Sequence, residues 1–206
     1  MALTPSTMLP LGTPLPFGVI SAQLATGAAQ QVSGEPLDLD GLARGPVLVL
    51  FLCEHCPFVK HVEQELSRLQ ADVAGPPLRL RILAISSNSL QTHPQDGAEG
   101  LRAQAARHGW TFPYLLDGHQ EIARAFRAAC TPDPYLFAPA ADGALRLVYR
   151  GQLDDSRPGQ GRPADGKDLR AALAALEAGG TPAGEQRPAI GCNIKWHPGS
   201  EPEWAR

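Results

Sequence analysis

The chain has 206 residues, with 18 Lys and Arg against 21 Asp and Glu and a formal net charge of −3. The charges are dispersed, which offers no basic face to nucleic acid or to an anionic membrane surface, and no stretch nears the ~20 consecutive apolar residues that span a bilayer. Four cysteines in a chain of this length do not make a disulfide scaffold, so a close pair points to redox or metal chemistry instead.

The amino terminus has no basic start and no unbroken apolar core, which is a poor secretory signal, and a cytoplasmic protein is expected. Residues 1–15 read as extended and irregular, 17–24 as a strand, and 27–34 as a turn that lets Val32 and Leu37 meet in a hairpin. Residues 39–43 read as a helical turn capped by Asp38. The run Val47, Leu48, Val49, Leu50, Phe51, Leu52 predicts a strand buried on both faces of a sheet. It ends on Cys53-Glu54-His55-Cys56. From Pro57 the period changes to that of a helix, with Val59, Val62, Leu66 and Leu69 on one face and Lys60, Glu63, Glu65 and Arg68 on the other.

Two cysteines therefore stand where a buried strand becomes a helix. The first helical amides lack intrahelical partners and carry the positive end of the dipole, so a thiolate there is stabilised, and the thiolate attacks disulfides. Pro57 suits the first turn, where its missing N–H is not needed. Two residues between the sulfurs let them close a small disulfide ring. A protonated His55 near Cys53 would favour the thiolate further and make the disulfide more oxidising.

Beyond the break at Gly75-Pro76-Pro77, residues 78–85 predict a second strand and complete a βαβ unit, the context in which C-x-x-C reads as redox-active. Residues 86–97 form a polar loop at the active edge, 99–108 a helix ended by Gly109, 112–116 a strand and 121–129 a helix. Cys130-Thr131-Pro132 leads a strand that returns as a hairpin through 145–149. A last helix spans 167–178 before Gly179-Gly180. The tail carries Ile190, Cys192, Ile194, Trp196 and Trp204, so it is expected to pack on the domain. Asp154 and Asp155 are adjacent on an extended segment and point to opposite faces, which prevents them from acting as an acid/base pair.

This order of elements, with FLCEHCPFVKH, GWTFPYLLD, CTPDPYLF, YRGQLDDSRP and GCNIKW, resembles a thioredoxin-like family related to the peroxiredoxins. The resemblance implies an α/β fold with a central mixed sheet flanked by helices, an amino-terminal extension over 1–36, the thioredoxin-like domain over 37–178 and a carboxy-terminal tail over 179–206. It implies that Cys53 is the attacking and Cys56 the resolving cysteine, that Pro132 is a cis-proline facing them, and that Thr131 offers backbone hydrogen bonds to a substrate. Glu54-His55 replaces the usual Gly-Pro, and Val47 stands where thioredoxins bury an Asp. Cys56-Pro57 is similar to the peroxiredoxin Cys-Pro, which implies a second activity: a peroxidase in which Cys56 meets peroxide and Cys53 resolves.

The expected function is thus thiol–disulfide exchange with protein or small-molecule substrates and an unnamed electron donor. No cofactor is expected beyond the redox-active disulfide. No metal site is expected either, because a structural zinc site wants four ligands and no second C-x-x-C accompanies the first. Cys130 and Cys192 are possible additional thiols, each otherwise a small buried hydrophobe. A binding module without catalysis is the reading that a wholly enclosed cysteine pair would support.

Overall fold

A computed structural model describes residues 3–205; what was expected of residues 1, 2 and 206 lies outside the described residues. The elements are β1 (Leu3–Pro5), α1 (Phe17–Ala25), β2 (Ala29–Gln31), α2 (Leu39–Leu42), β3 (Val47–Phe51), α3 (Pro57–Val73), β4 (Arg81–Ser86), a 3₁₀ turn at Pro94–Asp96, α4 (Ala98–His108), β5 (Tyr114–Asp117), α5 (Glu121–Phe126), β6 (Cys130–Thr131), β7 (Asp133–Pro139), β8 (Leu145–Arg150), α6 (Lys167–Glu177) and β9 (Ile190–Asn193), with a 3₁₀ turn at Glu203–Ala205.

Six strands form a mixed sheet in the order β2-β5-β4-β3-β7-β8. Strand β3 lies at its centre, parallel to β4 and antiparallel to β7. Its alternation sorts it between two cores: Leu48 and Leu50 join Val59, Leu66 and Leu69 of α3 on one face, while Val47, Val49 and Phe51 join Ile122 and Phe126 of α5 on the other. Both faces carry helices, which is why the run is apolar at every position. Helix α3 buries Val59, Val62, Leu66, Leu69 and Val73. The Asp38 cap is present, its carboxylate accepting from the Gly41 amide at 2.7 Å, and α4 ends at Gly109 in the left-handed region, φ 64°.

Several expectations are corrected. Residues 17–25 are helical rather than a strand; the Val19-Ile20 pair reads as β-forming, but Ile20 is buried against the core of α5 while Phe17, Val19 and Leu24 pack partly against it. There is no pairing of Val32 with Leu37 as a hairpin: β2 pairs antiparallel with β5, Ala29 opposite Asp117, because an edge strand gains more from a sheet than from a local turn. Glu63 and Glu65 are buried rather than solvated. Other helices supply their partners: Gln104 Nε2 donates to Glu63 at 2.8 Å, with His108 Nε2 2.9 Å from its other oxygen, and Arg170 Nε lies 2.5 Å from Glu65.

A second sheet of three short strands, β1-β9-β6, forms beside the main one. The tail packs as expected, with Cys192, Ile194 and Trp196 buried. Strand β9 pairs with β6, Thr131 opposite Cys192.

Candidate functional site

Strand β3 delivers Cys53 to the end of the sheet, and Cys56 is the N-cap residue of α3, with extended backbone (φ −71°, ψ 122°) ahead of Pro57 in the first turn. The β6–β7 junction faces them. Its Thr131–Pro132 peptide is cis, as the family resemblance implies. The Thr131 hydroxyl lies 3.5 Å from Cys53 Sγ, and its carbonyl accepts from Cys56 Sγ at 3.3 Å. All four cysteines are thiols rather than half-cystines. Cys53 and Cys56 thus share Thr131, and Cys192 of the tail pairs opposite that same residue.

These neighbouring sulfurs shift one another's ionisation. Cys53 is held well above the ordinary thiol range by its hydrogen bond to Cys56, then by burial, then by the negative charge of Asp96. Cys56 goes far below that range, because the Cys192 and Cys53 thiols both point hydrogen bonds at its sulfur, and burial only partly opposes them. The Thr131 hydroxyl and the Val59 amide lower Cys56 further. Cys192 is raised by its bond to Cys56 and by burial. Cys56 is thereby lowered relative to Cys53.

Asp96, which the sequence reading did not single out, organises the loop between the cysteines. Its carboxylate accepts from the Glu54 and His55 amides at 2.9 and 3.2 Å and from Asn88 Nδ2 at 2.8 Å, and lies 2.6 Å from His55 Nδ1. Burial pushes this carboxyl up, but the hydrogen bonds from His55 and Asn88 bring it below the usual carboxylate range. The signal for it was an acid inside the loop already placed at the active edge. Replacing Asp96 by Ala strands these donors and is expected to cost about 2–3 kcal/mol, read as a lower urea midpoint with an unchanged m-value.

His55 is therefore tied to Asp96, and its ring meets that of His93 at 4.6 Å between centroids. Cys53 Sγ, a His55 ring nitrogen and an Asp96 oxygen all lie within 4.8 Å of one another, a grouping that could offer three metal ligands and that the expectation of no metal site did not foresee. Asp96 already serves four donors there, so the grouping is satisfied as a hydrogen-bond network. Glu54 turns outward to Arg107 at 3.4 Å and Lys60 at 3.8 Å. Cys130 is buried under the tail, 4.0 Å from the Ala189 carbonyl. Asp154 is buried and accepts from the Gly166 amide at 2.7 Å, while Asp155 pairs at the surface with Lys167 at 2.8 Å, so the two acids do diverge.

Cys53 and Cys56 are both fully buried. A cleft of about 20 Å³ lies beside Pro132, between Phe58 and His61 of α3 and Ala189 and Ile190 of the tail, and neither cysteine lines it. Strand β9 lies along the edge of β6 where an extended peptide would pair. The pair is enclosed in this conformation, the condition named above for a binding module, and an outside molecule would reach it only with this strand lifted.

The AhpC/TSA family model matches residues 20–148. An uncharacterized conserved protein from Geobacillus kaustophilus is similar at 41% identity and TM-score 0.84, with 97% of this chain and 99% of that chain covered. A hypothetical protein from Sinorhizobium meliloti is similar at 37% identity and TM-score 0.81, covering 95% and 100%. A secreted disulfide oxidoreductase of Mycobacterium tuberculosis shares the fold at 20% identity and TM-score 0.51, covering 72% of this chain and 94% of that one. No curated protein matches the chain.

Proposed function

Starting from the membership of this chain in the AhpC/TSA family, on a thioredoxin-like fold, we propose that it is a thiol–disulfide oxidoreductase acting through Cys53 and Cys56. The observation that carries this reading is the pair of sulfurs at the head of α3, both in contact with Thr131 of the cis Thr131–Pro132 peptide.

With β9 lifted, the Cys56 thiolate attacks one sulfur of a substrate disulfide. A Cys56–substrate bond forms, the substrate disulfide breaks, and one substrate thiolate leaves. Cys53 then gives up its proton to the departing sulfur and attacks Cys56 Sγ, which closes Cys53–Cys56 and releases the second substrate thiol. Two electrons pass from the dithiol to the substrate, and an external thiol donor returns them. Asp96 raises the proton affinity of Cys53, which keeps it a thiol until the mixed disulfide has formed. This order reverses the one the thioredoxin resemblance implies, and it rests on Asp96 and Cys192. The couple is expected between about −270 and −120 mV.

The Cys56 thiolate followed by Pro57 also supports a second reading, a peroxidase. The thiolate would take the terminal oxygen of a hydroperoxide to give a sulfenic acid and an alcohol, and Cys53 would displace water to form the same disulfide. Parallel turnover assays separate the two. With dithiothreitol as donor, the first reading expects faster reduction of a protein disulfide than of peroxide; peroxide turnover without disulfide reduction would leave only the second.

A further inference from the structure

Strand β9 does more than cover the site. It runs antiparallel to β6 with Cys192 opposite Thr131, the position a substrate residue takes when it pairs beside a cis-proline. Its approach is built for closeness: a Cβ on Gly191 would sit 2.0 Å from the Thr131 carbonyl oxygen, and one on Gly151, where the tail passes at Arg187, would sit 2.2 Å from the Arg187 carbonyl. Only glycine at both positions lets the tail lie this near. Cys192, Cys56 and Cys53 belong to one buried cluster, and Cys192 stands opposite Thr131, whose carbonyl accepts from Cys56 Sγ at 3.3 Å.

We propose that Cys192 is a third redox thiol, an internal substrate that exchanges with the Cys53–Cys56 pair; this rests on the exchange chemistry proposed above. Once a substrate has oxidised the pair, the Cys192 thiol gives up its proton and attacks Cys56 Sγ. The Cys53–Cys56 bond breaks, Cys56–Cys192 forms, and Cys53 leaves as a thiolate that takes the proton. No electrons are gained or lost overall, so no further oxidant is needed. The new disulfide fastens β9 over its own peptide edge, and a thiol donor releases it. Oxidation by substrate thereby closes the site to the next extended peptide until a donor has acted.

The test is disulfide mapping after limited oxidation with glutathione disulfide, acid quench and alkylation, read by peptide mass. Wild-type protein is expected to show both Cys53–Cys56 and Cys56–Cys192 linkages. In Cys53→Ser, glutathione disulfide first adds to Cys56, Cys192 displaces glutathione, and Cys56–Cys192 is expected as the main product. Adding Gly191→Ala to that variant pushes β9 off Thr131 without touching a cysteine and is expected to slow closure on the order of a hundredfold. A Cys53→Ser protein that holds a lasting glutathione adduct on Cys56, in a wild type that forms Cys53–Cys56 alone, overturns the role of Cys192 and leaves the oxidoreductase reading intact. Wild type that forms no intramolecular disulfide at all removes both.

Discussion

Replacing Cys56 by Ser is expected to reduce disulfide turnover by at least about three orders of magnitude, because a serine hydroxyl does not ionise near neutral pH and cannot start the exchange. Cys53→Ser has a different signature. Its Cys56 thiolate still attacks, since Cys192 still favours ionisation of that sulfur, so a first burst of substrate thiol is released and later turnover is confined to the slower Cys56–Cys192 route. The two variants separate in a stopped-flow assay of substrate thiol release: a stoichiometric burst for Cys53→Ser and none for Cys56→Ser. A burst in Cys56→Ser and none in Cys53→Ser would restore the order of attack that the thioredoxin resemblance implies. The pH dependence follows the same electrostatics. Asp96 holds the Cys53 thiol high, so Asp96→Asn is expected to move its alkylation profile to lower pH.

Asp133 is expected to impose a strong pH dependence on stability. It follows Pro132 directly, is fully buried beside Phe51 of β3, and accepts from the Tyr135 hydroxyl at 2.7 Å; its second oxygen lacks a partner among the described residues. Burial raises its carboxyl from 3.8 to about 7, against hydrogen bonds from Tyr135 and Ser6. The folded value exceeds the unfolded one, so its contribution to stability is complete below pH 4 and is lost as pH rises to about 7. A shift of about three units corresponds to roughly 4 kcal/mol. Asp133→Asn keeps the shape and removes the titration. Urea unfolding of the two proteins should therefore diverge in favour of the variant between pH 4 and 7 and run parallel above that; parallel behaviour throughout would mean the carboxyl is ionised in the fold.

Legibility in the sequence followed the range of the interactions. Strand β3, the switch of period at Pro57, the Asp38 cap and the Gly109 stop are all set by neighbours within a turn or two, and each reads directly from residue type. The cis peptide at Pro132 and the inward-packing tail were also legible, from the family resemblance and from apolar residues in a polar segment. The rest depends on partners far along the chain. Helix α1 takes its form by packing Ile20 into the core around Phe126, and Glu63 and Glu65 tolerate burial because His108 and Arg170 meet them. At the site, the cysteine pair was evident, yet its surroundings come from Asp96 and Cys192, which lie some forty and some one hundred and forty residues away in sequence.

The central claim is that Cys53 and Cys56 exchange a covalent bond with an outside thiol or disulfide. A redox titration in glutathione buffers, with alkylation and peptide mass at each point, tests it most directly. The account predicts a reversible two-electron transition in which Cys56 is always one partner and regains reactivity only as the buffer becomes reducing. Cys53 and Cys56 that remain fully alkylatable after unfolding in acid, at every potential of the series, would contradict it.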